Sequence, residues 1–284
     1  MRVSPVYKLL LIVLSLSTIT SAQLELPRVS QKASLMQTIG LLEVTLNYSR
    51  PNVKGRKIWG GLVPYNQVWR TGADEATTIL FSEDCRFGEQ DVPAGKYSLF
   101  SIPGETEWTI ILNKVNKQWG AFNYDSTKDL LRFTIKPEEN QFTESMNFYF
   151  NNTGVSSAVL NLVWEQVKIS IPVEFNTDAK VYSNIKKAIE SEPDNWVNYA
   201  AGANYAADNN IHLEEANGWI DKSIELHQSY YNYYVKAKLL KMMNNNNEAL
   251  RFLERAIELG KSDPEFKNDA PQINLLLKEF KSKN

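Results

Sequence analysis

Near Phe175 the spacing of apolar residues changes, and that change divides the chain. Upstream, several runs alternate apolar and polar positions with the period of about two that half-buries a strand. The runs 41–49, 76–82, 96–102, 107–113, 130–136, 145–150, 158–164 and 167–175 are short and rich in β-branched and aromatic residues. Turn formers separate them, among them Pro93-Ala94-Gly95, Pro103-Gly104-Glu105 and the segment 151–154. Strands of this kind bury their apolar face only against a second sheet or by closure. Residues 23–176 are therefore predicted to form an antiparallel β-sandwich, jelly-roll-like in kind. The pairs 96–102/107–113 and 145–150/158–164 are predicted hairpins.

Downstream, apolar residues fall at helical spacing. Val181, Ile185, Ala188 and Ile189 form one stripe, and Ala216, Trp219, Ile220, Ser223 and Ile224 a second. Ala249, Phe252, Leu253, Ala256 and Ile257 repeat the second at a constant offset of 33, and the first lies 35 before it, broken only at Asn184. Trp196, Tyr199, Ala200 and Ala203, then Tyr233, Ala237 and Leu240, mark helices between the stripes. A helix pair recurring near 34 residues, with small residues where helices meet, resembles the tetratricopeptide repeat. Residues 177–284 are thus read as tetratricopeptide-like helical hairpins, with a capping helix near 272–281.

The N-terminus carries its own signal. Arg2 and Lys8 precede an apolar run over 9–16, and Thr20-Ser21-Ala22 supplies small residues. This is the pattern of a secretory signal peptide cleaved after Ala22. The apolar run is shorter than the roughly 20 residues that span a bilayer, so no membrane insertion is expected after cleavage. An exported chain with the single cysteine Cys85 has no internal disulfide and relies on its cores. The near-neutral charge of −2 argues against nucleic acid or an anionic membrane as partner.

One stretch, 50–76, breaks every period. It holds Trp59, Trp69, the cations Lys54, Arg56, Lys57 and Arg70, and the pair Asp74-Glu75, interrupted by Gly55, Gly60, Gly61, Gly72, Pro51 and Pro64. A long irregular segment of this composition inside a β domain is functional or a structural plug. Asp74 and Glu75 are candidate catalytic residues for a general acid and base, with Arg70 orienting an anion. Adjacent strand residues face opposite ways, however, so the two do not readily flank one bond. Asp125 and Asp129 are further carboxylates for the same place. Arg70, Trp69, Trp59 and Trp119 are candidate ligand-binding residues, against the plainer reading that most tryptophans fill the core. A buried Arg70–carboxylate pair pinning the loop predicts several kcal/mol lost in Arg70→Ala.

Absences narrow the chemistry. The β region has no histidine, since His212 and His227 lie in the repeats, where they read as helix-surface residues. Ser-His and Cys-His catalysis are thereby excluded from it. No zinc spacing, Gly-rich phosphate loop, G-x-S-x-G or H-E-x-x-H is present, and no metal or cofactor is expected.

The N-terminal motifs also resemble a known family. VTLNYSRPNVKGRKIWGGLVPYNQVWRTGADEATTI, then DVPAGKYSLFSIPGETEWTIILNK and QWGAFNYD, are similar in order to the domain-of-unknown-function family DUF2911. The resemblance covers 23–175 and implies an exported protein of Bacteroidetes-type bacteria, often with a helical repeat tail. It implies no activity and no catalytic residues. The expected function is an exported, periplasmic or extracellular, cell-envelope binding or scaffold protein, taking a protein or peptide partner through its repeats. The second reading is a carboxylate-dependent hydrolase or carbohydrate-binding protein that uses the 50–76 loop.

Overall fold

The computed structural model describes residues 26–282; the signal-peptide reading of 1–22 lies outside them. Ten strands precede six helices: β1 (Gln31–Ile39), β2 (Leu42–Arg50), β3 (Thr78–Phe81), β4 (Cys85–Phe87), β5 (Gln90–Val92), β6 (Gly95–Ile102), β7 (Trp108–Asn113), β8 (Asp129–Ile135), β9 (Glu138–Asn151) and β10 (Ser157–Glu174). They form a six-stranded sheet, β1-β2-β3-β6-β7-β8, and a four-stranded sheet, β5-β4-β10-β9. Every strand pairing is antiparallel. Both predicted hairpins are present, as β6–β7 and β9–β10.

Strand β2 shows why alternation encodes a sheet face. Leu42, Val44, Leu46 and Tyr48 are buried while Glu43 and Asn47 are exposed. These inward residues meet Phe87, Met146, Phe148, Leu160 and Trp164 of the opposite sheet in one apolar core. The runs 158–164 and 167–175 fuse into the single strand β10. A bulge flanks Glu165, whose φ of 56° bends the strand without ending it. Strands β1, β4 and β5 were not expected from the sequence. The first is a half-exposed edge strand, and the other two have three residues each, too few to show a period.

Six helices follow: α1 (Thr177–Ser191), α2 (Trp196–Asn209), α3 (Leu213–Leu226), α4 (Tyr230–Met242), α5 (Asn246–Gly260) and α6 (Phe266–Ser282). Side chains of Asn176, Asn195 and Ser229 cap α1, α2 and α4 by accepting from backbone N–H groups. Gly202 lets α2 approach its neighbours, since an added Cβ would lie 2.6 Å from Ile185 and 3.3 Å from Trp219. The buried stripe residues assemble two further cores, one around α2 and α3 and one joining α4, α5 and α6. His212 and His227 are exposed, as expected, at the two ends of α3, and stack on Tyr182 and Trp196 at 4.1 and 4.7 Å. Among the described residues, no helix packs broadly on either sheet. The start of α1 touches the sandwich through Lys180–Glu83 at 2.7 Å and the Thr177 hydroxyl on the Val155 carbonyl.

Candidate functional site

Between β2 and β3 the chain runs irregularly over 51–77 and is fastened at several places. Val53 N–H donates to the Glu144 carbonyl, Met146 N–H to the Pro51 carbonyl, and Trp69 exchanges both backbone bonds with Ser101. The segment 69–76 is held tightly. Thr71 and Asp74 adopt φ of 52° and 54°, the left-handed region that side chains disfavour. Thr71 is kept there by the Thr77 hydroxyl on its carbonyl at 2.7 Å and its own hydroxyl against Ser101 at 2.9 Å. Backbone strain held by so many partners marks a fixed side-chain arrangement. Asp74 and Glu75 are also bridged to the 118–120 segment, with Gly120 N–H on the Asp74 carbonyl and Ala76 N–H on that of Gln118.

This fastening separates the candidate residues. Trp59 is 9% exposed and lies in a cluster with Trp108, Trp69 and Trp164, at ring-centroid distances of 4.8, 5.8 and 5.7 Å. It belongs to the core and presents no stacking surface. Trp69 stacks on Trp164 at 5.9 Å and donates its indole N–H to the Gly72 carbonyl at 3.0 Å. Trp119 stands apart, 57% exposed.

The carboxylates do not pair with Arg70. Arg28, just before β1, donates two hydrogen bonds to Glu75 at 2.6 and 2.9 Å and lies 3.8 Å from Asp74; Lys32 lies 3.2 Å from Glu75. The bonds from Arg28, reinforced by Lys32, hold the Glu75 carboxyl down at about 2. A carboxyl ionised so far below neutrality is a poor general acid. Nor do Asp125 and Asp129 join it. Asp125 caps the turn at Thr127, while Asp129 accepts from Tyr124 and Arg132, both at 2.6 Å. Cys85 is buried, and that burial together with Asp84 pushes its thiol up to about 12, so it is no nucleophile.

Two grooves flank the 69–76 segment. On the Glu75 side, an opening of about 640 Å³ lies over β1 and β2 and is lined by Lys32, Tyr48, Glu75, Lys117 and Trp119. On the other, an opening of about 590 Å³ is lined by Trp69, Arg70, Asp74, Phe122 and Trp164, with Lys54 and Arg56 at the loop. Neighbouring Asp74 and Glu75 thus serve different grooves. Phe122 is 82% exposed on this second wall, and Trp164 only 1%.

Arg70 is the anomaly of the site. Among the described residues its guanidinium makes no hydrogen bond or ion pair, and its Nε is buried without an acceptor. Burial lowers its basicity, opposed by the charge of Asp74. Gly120, at φ 65°, makes room for it, since a Cβ there would lie 3.3 Å from the guanidinium and 2.9 Å from Phe122. Sequence reasoning missed Arg28, Phe122 and Trp164. Phe122 stood in the motif QWGAFNYD, but nothing in the sequence brings it beside Arg70.

The family model described as "Protein of unknown function (DUF2911)" matches residues 30–173. The chain belongs to this family. The match covers just over half of the chain; it opens at the edge of β1 and closes within β10, so both grooves, Val29 of the second apart, lie inside the DUF2911 region and the helices outside it. No curated protein and no solved structure matches the chain. Among the described residues, no cluster of three His, Cys, Asp or Glu side chains could hold a metal, and no helix is long and apolar enough to cross a membrane.

Proposed function

We propose that this chain is a non-catalytic binding protein of the cell envelope, exported by a signal peptide cleaved after Ala22. The DUF2911 domain holds a sugar-sized ligand against the 50–76 loop. The observation that carries this is the groove of about 590 Å³ with exposed Phe122 on its wall and the unpaired Arg70 within it. An aromatic face beside convergent polar groups suits a hydroxylated ring, whose C–H face stacks while its hydroxyls bond. Glu75, bound by two cations, weighs against the hydrolase reading. A glycan array probed with the full chain and with Phe122→Ala tests the proposal. The expected result is a defined glycan set for the full chain, about tenfold weaker in the variant. No retained glycan, or an unchanged set in Phe122→Ala, overturns it.

The helices support a second role, as tetratricopeptide-like repeats that recruit a protein or peptide partner. The supporting observation is that they have cores of their own and, among the described residues, meet the sandwich at the start of α1. A protein retained from envelope extract by the full chain, and not by residues 23–176, is the expected result. Retention by neither removes this role.

A further inference from the structure

Resting on the groove reading above, we infer that the Arg70 groove takes a uronic acid, a sugar bearing a carboxylate, with the Arg70 guanidinium as the carboxylate's partner. Among the described residues the other arginines are paired, except Arg251, which is exposed to solvent. Arg28, Arg86, Arg132 and Arg255 hold carboxylates, and Arg50 and Arg56 donate to backbone carbonyls. Among the described residues, Arg70 alone combines substantial burial with an orphaned Nε. Trp164 lines the same groove, and its indole N–H, also buried, has no acceptor. The Nη groups of Arg70, likewise unpartnered but not buried like its Nε, are donors open to the groove, so the group that completes the site supplies acceptors.

Charge narrows the acceptor further. Lys54, Arg56 and Arg70 line the groove against the single carboxylate of Asp74, which Arg28 already approaches at 3.8 Å. The excess is positive, favouring an anion, while Asp74 beside Arg70 disfavours a second negative charge on it. A planar monoanion matches the guanidinium fork. A guanidinium also pairs with phosphate, but a phosphate would set its second negative charge against Asp74, which a carboxylate does not. Ser30, Asn52 and Gln67 line the groove where ring hydroxyls need partners, and Phe122 offers the ring face. A volume of about 590 Å³ holds one or two sugar rings.

The test titrates the full chain with galacturonic acid and with its methyl ester, which keeps the ring and removes the charge. Intrinsic fluorescence of Trp69 and Trp164 in the wall, and calorimetry, report occupancy. The acid is expected to bind about ten- to a hundredfold more tightly than the ester. Arg70→Gln should bring the acid down to the ester's affinity, and Phe122→Ala should weaken both alike. Added salt should narrow the wild-type preference without any variant, which guards against a misfolded Arg70→Gln. Equal binding of acid and ester by the wild type overturns the uronic-acid inference and leaves the sugar-binding reading standing. So does a preference that survives in folded Arg70→Gln. Binding of neither probe overturns the uronic-acid inference; the glycan array then decides the sugar-binding reading separately.

Discussion

In the sandwich, Tyr48 reaches Asn147 across 99 residues and Lys54 N–H reaches Glu144 across 90. In the helices, Ser223 reaches back 27 residues to the Trp196 carbonyl, and Lys238 reaches back 34 to Asn204. The sandwich core therefore exists only when both sheets are complete. Each helical pair, by contrast, is stabilised by its neighbours along a line. The difference teaches where damage spreads. A lost contact in the sandwich is shared by the whole domain, and one in the helices stays close to its own hairpin.

Trp164→Ala should have the largest effect. Trp164 is buried between the sheets against Trp59 and Trp69, and its removal should cost about 3–5 kcal/mol. Amide hydrogen exchange through a thermal melt should show the β-strand amides opening early while the helix amides keep their midpoint. A common shift of both transitions would break the comparison. Gly202→Val is the reciprocal change, forcing a branched side chain into the space beside Ile185 and Trp219. It should cost about 1–3 kcal/mol in the helices alone. Loss of amide protection in the β-strands with it would show that the two regions fold as one.

The smaller effects contrast two arginine environments. Glu75→Gln removes the carboxylate that Arg28 and Lys32 share, but the pair is partly exposed and worth roughly 0–1 kcal/mol. Its sign with pH is fixed. Because Glu75 is lowered from 4.5 to about 2, its contribution is present above about 4.5 and is lost as pH falls towards 2. Wild type and Glu75→Gln should therefore differ at pH 6 and converge in acid, and a gap that persists below that range would contradict the assignment. Arg70→Gln should have the smallest effect on stability, near zero or slightly stabilising, because it removes a half-buried charge that has no partner. This reverses the expectation of a pinning ion pair. A loss of several kcal/mol would restore that expectation and remove the basis for the anion site.

The helices were legible because their information is local. Ile220 and Leu253 sit at the same place in successive units, and spacing alone put both in buried cores. Strands with clean alternation, such as β2, were legible for the same reason, as were the hairpins β6–β7 and β9–β10. Edge strand β1 and the three-residue β4 and β5 were not, since an exposed edge or a very short strand leaves no period to read. Within the 50–76 loop, the amino-acid types alone were enough to mark Arg70, Trp69 and Asp74 as candidates. They could not assign partners, because partners there are chosen across space. Arg28 reaches 47 residues along the chain to claim Glu75, Phe122 arrives from beyond β7, and Trp164 from the opposite sheet. The sequence by itself determined two regions, their secondary-structure types and the composition of the loop. The tertiary structure decided that the carboxylates answer to Arg28 and that Arg70 is left unpaired, because charge pairing depends on distances that only the packed sheets set.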